Sequence, residues 1–164
     1  MKHIISALVE NKPGVLAHVA GMFAARAFNI DSLVVGRTED PKLSRMTIVV
    51  IGDDRVVEQV RKQLAKIVPV VKVQDFAGQP MVARDLMLVS VSAPPDKRQE
   101  ILSLIEMFKG RVVDIGTKQL MVEVSGPESK IEAFIDLCKP YGIKNVARTG
   151  TIAMPRQGSS EAKS

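Results

Sequence analysis

The sequence has no tryptophan, one tyrosine (Tyr141) and five phenylalanines among 164 residues. Single-stranded nucleic acid is gripped largely by stacking its bases on aromatic rings, so a base-stacking surface has little to be built from here. Cysteine is scarcer still. Cys138 stands alone, an internal disulfide is impossible, and nothing points to an oxidising compartment. The two histidines, His3 and His18, each lack a second ligand at metal-binding spacing, so no metal site is expected. His18 reads as the exposed flank of a helix and Cys138 as a small core residue. No apolar run approaches the roughly 18 residues of a membrane span, and the stretch between His3 and Glu10 is too short for the apolar region of a secretory signal. The formal net charge of +5 is not gathered into a block. The expectation is a cytoplasmic globular chain with neither nucleic acid nor membrane as partner.

Catalytic signatures are missing as well. There is no Gly-x-Ser-x-Gly elbow, no phosphate loop ending in Gly-Lys-Ser/Thr, and no Gly-x-Gly-x-x-Gly after a strand. The carboxylates are scattered: Asp53 and Asp54 open a helix, Glu39 and Asp40 sit in a loop, and Asp31 lies at a strand entrance. None forms an acid/base pair. The balance favours binding over catalysis, and no catalytic residue is assigned.

What is present is one pattern written twice. Residues 4–9 read as a strand and 13–28 as a helix, with Val15, Val19, Met22 or Phe23, and Ala27 on one face and Pro13 in the first turn. Residues 30–36 and 46–51 are two more strands, joined by a polar hairpin loop over 37–42. Val56, Val57, Val60, Leu64 and Ile67 mark a second helix, followed by a strand over 70–76. After Gly78-Gln79-Pro80 the order restarts with a strand at 86–91, a helix from Pro95, a hairpin pair at 111–115 and 120–124, a helix opened by Gly126-Pro127-Glu128, and a last strand at 146–152. The expected class is α+β: two tandem ferredoxin-like βαββαβ sandwiches, in residues 1–77 and 84–154, with a linker at 78–83 and a flexible tail at 155–164. Each half is small, and its sheet carries helices on one face, which invites dimerisation or domain stacking.

Two asparagines bracket the first helix. Asn11 and Gly14 lie where strand turns into helix, and there unpaired N–H groups and the positive end of the dipole favour an anion such as a carboxylate. Gly14 lets a ligand approach the backbone closely. The alternative is structural: Asn11 caps the helix or makes an Asx-turn. Asn29 is placed differently. A helix from Pro13 to Phe28 separates Asn11 from Asn29 by on the order of 22 Å, so one chain cannot bring both to one small ligand. A two-fold pairing of antiparallel helices would set Asn11 of one copy against Asn29 of the next.

The ordered set Asn11-Lys12-Pro13-Gly14-Val15-Leu16, Phe23, Arg26, Asn29-Ile30-Asp31-Ser32-Leu33 and Leu43-Ser44-Arg45-Met46-Thr47-Ile48 closely resembles the small regulatory subunit of acetohydroxyacid synthase, also called acetolactate synthase. Its first half resembles an ACT domain, an amino-acid-sensing module. The likeness continues at Gly110-Arg111-Val112-Val113-Asp114 and Val146-Ala147-Arg148-Thr149-Gly150. It implies a non-catalytic chain that dimerises through its ACT domain, binds and activates a separate catalytic large subunit, and confers feedback by valine in branched-chain amino-acid biosynthesis. Thiamine diphosphate, Mg²⁺ and FAD belong to that partner in the family, and no cofactor is expected on this chain. The family's valine-contacting positions fall on Asn11, Gly14, Val15, Leu16, Asn29 and Ile30. Ala27 departs from a common glycine, and Phe28 from a more usual tyrosine. The alternative is a stand-alone ACT-type regulator of another enzyme or a transcription complex. An RNA-binding βαββαβ module lacks its central-strand aromatics here, and an acylphosphatase-like hydrolase lacks its first-turn arginine.

Overall fold

The computed structural model describes residues 1–158. In chain order the elements are β1 (Lys2–Glu10), α1 (Val15–Ala25), β2 (Asn29–Arg37), β3 (Leu43–Ile51), α2 (Asp54–Ala65), β4 (Val70–Asp75), β5 (Met81–Ser92), α3 (Arg98–Met107), β6 (Arg111–Ile115), β7 (Gln119–Gly126), α4 (Glu128–Cys138), a 3₁₀ turn (Lys139–Tyr141), β8 (Ile143–Arg148) and β9 (Ile152–Pro155). Two βαββαβ repeats thus follow one another, and a short strand is added at the end. One sheet runs β2-β3-β1-β4 and the other β6-β7-β5-β8, with β9 also pairing β5. The chain divides into two compact units: Met1–Val82 together with the described residues from Thr151 on, and Ala83–Gly150. Both sheets are antiparallel and each unit is ferredoxin-like. Among the described residues no helix is long and apolar enough to cross a membrane.

In the first unit, alternation along β1 turns Ile5, Ala7 and Val9 to one face, where Ile5 pairs with Ile48 and Ala7 with Met46 of β3. Val15, Val19, Met22 and Phe23 of α1 and Val57, Val60 and Leu64 of α2 close over them as one buried cluster. Each such side chain contributes about 1.5–3 kcal/mol of burial, which is what holds two short helices that would not persist alone. The helices begin differently. Asp53 caps α2, its Oδ1 accepting from Val56 N–H at 3.0 Å. At α1 the capping position is Gly14, and no side chain caps the turn.

The helix read from the sequence at 13–28 is shorter at both ends, and its end explains why. Phe28 N–H donates to Phe23 C=O (3.2 Å) and Ala27 N–H to Ala24 C=O (3.2 Å), a Schellman closure that needs a left-handed residue at position 27. Ala27 takes it, with φ 52°. Phe23 and Phe28 then meet edge to face at 5.9 Å, the apolar contact such a closure brings about. A Cβ in the left-handed region costs about 1–2 kcal/mol. Ala27→Gly should therefore stabilise the first unit by about 1 kcal/mol once glycine's larger unfolded-state entropy is offset, read as a higher urea midpoint at unchanged slope.

The second unit repeats the device: Gly110 N–H donates to Ile105 C=O and Lys109 N–H to Glu106 C=O, with Lys109 at φ 53°. Its core joins Met87, Val89 and Val91 of β5 and Leu120, Val122 and Val124 of β7 to Ile101, Ile105, Ile131, Phe134 and Cys138. Burial pushes the Cys138 thiol up to about 11, so it is an inert packing group at neutral pH.

Three expectations change. The strand expected at 86–91 spans Met81–Ser92, so residues 81–83, read as linker, already lie in β5. The strand expected at 146–152 is two strands, because Gly150 at φ 87° turns the chain between β8 and β9. Pro155, read as the first residue of the tail, ends β9, and Arg156 N–H donates to Pro80 C=O at 3.0 Å. Residues 159–164 of that expected tail lie outside the described residues.

Candidate functional site

The turn from β1 to α1 is tied down by backbone and one amide. Glu10 N–H donates to Pro69 C=O at 2.9 Å and Asn11 N–H to Lys42 C=O at 2.8 Å. The Asn11 side chain adds a third tie, its Nδ2 donating to Pro41 C=O at 3.1 Å. Asn11 is therefore not the cap of α1. It lies three residues before the capping position and spends its N–H₂ on the β2–β3 loop, which leaves Oδ1 as the part of the side chain free to meet a ligand. The pull on Pro41 and Lys42 fixes this turn to the far hairpin.

Gly14 then swings the chain into the helix with φ 84°. A Cβ built there meets nothing within 4 Å, so the space in front of the turn is open and the demand for glycine comes from the backbone angle. The first turn carries no acidic residue and no side-chain cap; Val15 N–H makes only a long 3.5 Å contact with Lys12 C=O, and the positive end of the helix dipole lies at this turn. Val15 is buried and Leu16 is 46% exposed. The local arrangement offers donors for a carboxylate beside an accessible apolar side chain.

Asn29 and Ile30 open β2 at the other end. Asn29 is exposed and pairs with Ile51, while Ile30 is half-buried against the core of the first unit. A bulge between Ile30 and Ser32 sets Asp31 outside the ladder, where its carboxylate meets Lys2 Nζ at 3.0 Å. The structure groups Asn11, Gly14, Val15 and Leu16 together and places Asn29 and Ile30 apart from them. The separation follows from β3. Asn11 is bonded to Lys42, next to the first residue of β3, and Asn29 lies opposite its last residue, Ile51. A strand of nine residues puts these points on the order of 26 Å apart.

The sequence held no signal for the partners of these residues. The tie from Asn11 to Pro41 joins positions 30 apart in the chain, and the Lys2–Asp31 pair depends on a bulge that alternation cannot forecast. Among the described residues no group of three or more His, Cys, Asp or Glu side chains is placed to hold a metal ion.

Comparison with known proteins gives the arrangement a family. Residues 5–72 match the model of the AHAS small subunit-like ACT domain, and residues 84–157 match that of the small subunit of acetolactate synthase. The chain is 56% identical over 156 residues to a probable acetolactate synthase small subunit of Archaeoglobus fulgidus, covering 95% of this chain and 98% of the relative. It is 46% identical over 165 residues to the acetolactate synthase small subunit of Bacillus subtilis, covering 100% and 96%. The crystal structure of the acetolactate synthase small subunit from Thermotoga maritima superposes with a TM-score of 0.88 at 43% identity, over 95% of this chain and 98% of that one. With both halves matched in order and relatives aligned along nearly their whole length, this chain belongs to the acetolactate synthase small-subunit family.

Proposed function

We propose that this chain is the non-catalytic regulatory subunit of acetolactate synthase, which binds and activates a catalytic large subunit and makes it sensitive to feedback by valine. Thiamine diphosphate, Mg²⁺ and FAD belong to the catalytic chain in this reading. The observation that carries it is the layout of α1. An uncapped, open turn at Gly14 lies at one end and Asn29 just beyond the other, each supplying half of what an amino acid needs.

Two copies pairing through antiparallel α1 helices complete the site twice per dimer. The carboxylate of valine sits on the N–H groups after Gly14, and its ammonium is met by the amide oxygens of Asn11 and of Asn29 from the second copy. Leu16 and Ile30 line the isopropyl group. The helix suits such a seam: α1 carries no Asp, Glu, Lys or Arg, and Leu16, Ala20 and Ala24, four residues apart, form an exposed uncharged flank of mostly small side chains. β2 beside it is an edge strand of nine residues with one side of its ladder unpaired.

Regulation requires that valine prefer one of two states of the assembly, and a coupling of about 1–3 kcal/mol is enough for a metabolic switch. The test is reconstitution. Adding the chain to the catalytic subunit should raise acetolactate output severalfold, and valine should then lower it while leaving the catalytic subunit alone unaffected. No rise on mixing, or inhibition that does not need this chain, rejects the reading.

A further inference from the structure

Between α1 and α2, on the helical side of the first unit, lies a groove of about 430 Å³. Ala17, Gly21 and Met22 of α1 and Ile67 beyond α2 give it an apolar floor. Gly21 sets its depth. Glycine inside a helix destabilises it relative to alanine, yet a Cβ here would meet nothing within 4 Å, so no contact within the chain requires its absence. What the missing methyl does is keep the groove open.

The rim is cationic. Arg26 and Lys66 border it, His18 adds a third titratable group, and no carboxylate does. Arg26 Nη2 donates to Gln63 Oε1 at 2.9 Å, which orients the guanidinium without neutralising it. Farther back on α2, Glu58 is already paired with Lys62 at 2.9 Å. An apolar floor under an uncompensated positive rim complements a segment that presents a carboxylate beside an apolar anchor.

We infer that this groove docks an acidic, apolar-anchored segment of the catalytic chain, an inference that rests on the functional reading above. Its position relates docking to feedback. Arg26 on the rim and Asn29 in the proposed effector site flank the single Schellman turn closed by Ala27 and Phe28. Seating valine against Asn29 therefore loads the turn that follows directly on Arg26.

The test uses the full chain with its catalytic subunit. Arg26→Gln with Lys66→Gln, and separately Gly21→Leu, should each weaken association at least tenfold, measured by titration calorimetry. The wild-type affinity should fall as salt is raised, and the doubly neutralised protein should lose most of that dependence. Gly21→Leu raises helix propensity and its Cβ meets nothing within 4 Å, and unchanged thermal unfolding of both variants separates lost docking from lost folding. Wild-type affinity in the neutralised protein, or in Gly21→Leu, overturns the inference while leaving the regulatory reading intact. Absence of any association by the wild-type chain removes both.

Discussion

Arg148→Ala should destabilise the second unit by about 3 kcal/mol, the low end of the loss found on breaking a buried ion pair, because Asp85 is buried while the Arg148 side chain keeps 29% of its surface exposed. Arg148 Nη2 and Nε both reach Asp85 Oδ2, at 2.6 and 3.1 Å, and Nη1 reaches Glu132 Oε1 at 2.6 Å. Asp85 is 2% exposed. Without the guanidinium its carboxylate keeps, among the described residues, the Thr149 hydroxyl at 3.3 Å, and an unpaired charge in that position is far costlier than the pair was worth. Burial alone would pull the Arg148 pKa down, but hydrogen bonds to Glu132 and Asp85 outweigh it and raise the pKa above its ordinary value. The measurement is urea unfolding of the full chain followed by probes in each unit. Replacing both Asp85 and Arg148 by leucine should recover most of the loss, since apolar packing in place of a buried pair is often neutral. A single-variant loss below about 1 kcal/mol would place the pair with ordinary surface salt bridges and refute the assignment.

That network also marks where reading the sequence runs out. Arg148 fell inside the strand read at 146–152, and Asp85 just before the one read at 86–91, with no partner assigned to either. Nothing local joins positions 63 apart, and only the antiparallel register of β5 and β8, with Met87 opposite Arg148, puts them together. The element order, by contrast, could be read with no tertiary knowledge, because each helix carries its own 3.6-residue stripe and the strands are short apolar runs set off by turn residues. Boundaries shifted where a backbone angle, not a side-chain pattern, ended an element: at Ala27, whose left-handed conformation closes α1 early, and at Gly150, which divides the last strand. The alternative that Asn11 caps the helix fails for a related reason. A polar residue near a helix start suggests a cap, but here Gly14 takes that position, and the amide serves the hairpin loop instead.

The half-sites proposed at the two ends of α1 make a further prediction whose outcome depends on which copy supplies which residue. Asn11→Ala and Asn29→Ala proteins should each bind valine about 10–100-fold more weakly than wild type, since a hydrogen bond to a charged ligand group contributes about 1.5–3 kcal/mol. Each homodimer of a variant holds two sites, both damaged. Co-refolding the two variants in equal amounts changes the arithmetic. In a mixed dimer one site draws Asn11 and Asn29 from the unmutated positions of the two chains, and the other site lacks both. Random pairing then restores about a quarter of all sites to full affinity, provided the seam is two-fold and Asn11 of one copy meets Asn29 of the other across it. Calorimetry of the mixture should show a tight class at that stoichiometry beside a weak remainder, and feedback inhibition of the reconstituted synthase should return in part. If both asparagines acted on valine within one protomer, no pairing could repair either chain and the mixture would bind as weakly as its components. The separation along β3, on the order of 26 Å, already argues against that outcome, because a free valine is far too short to reach from the turn at Gly14 to the start of β2 in the same copy.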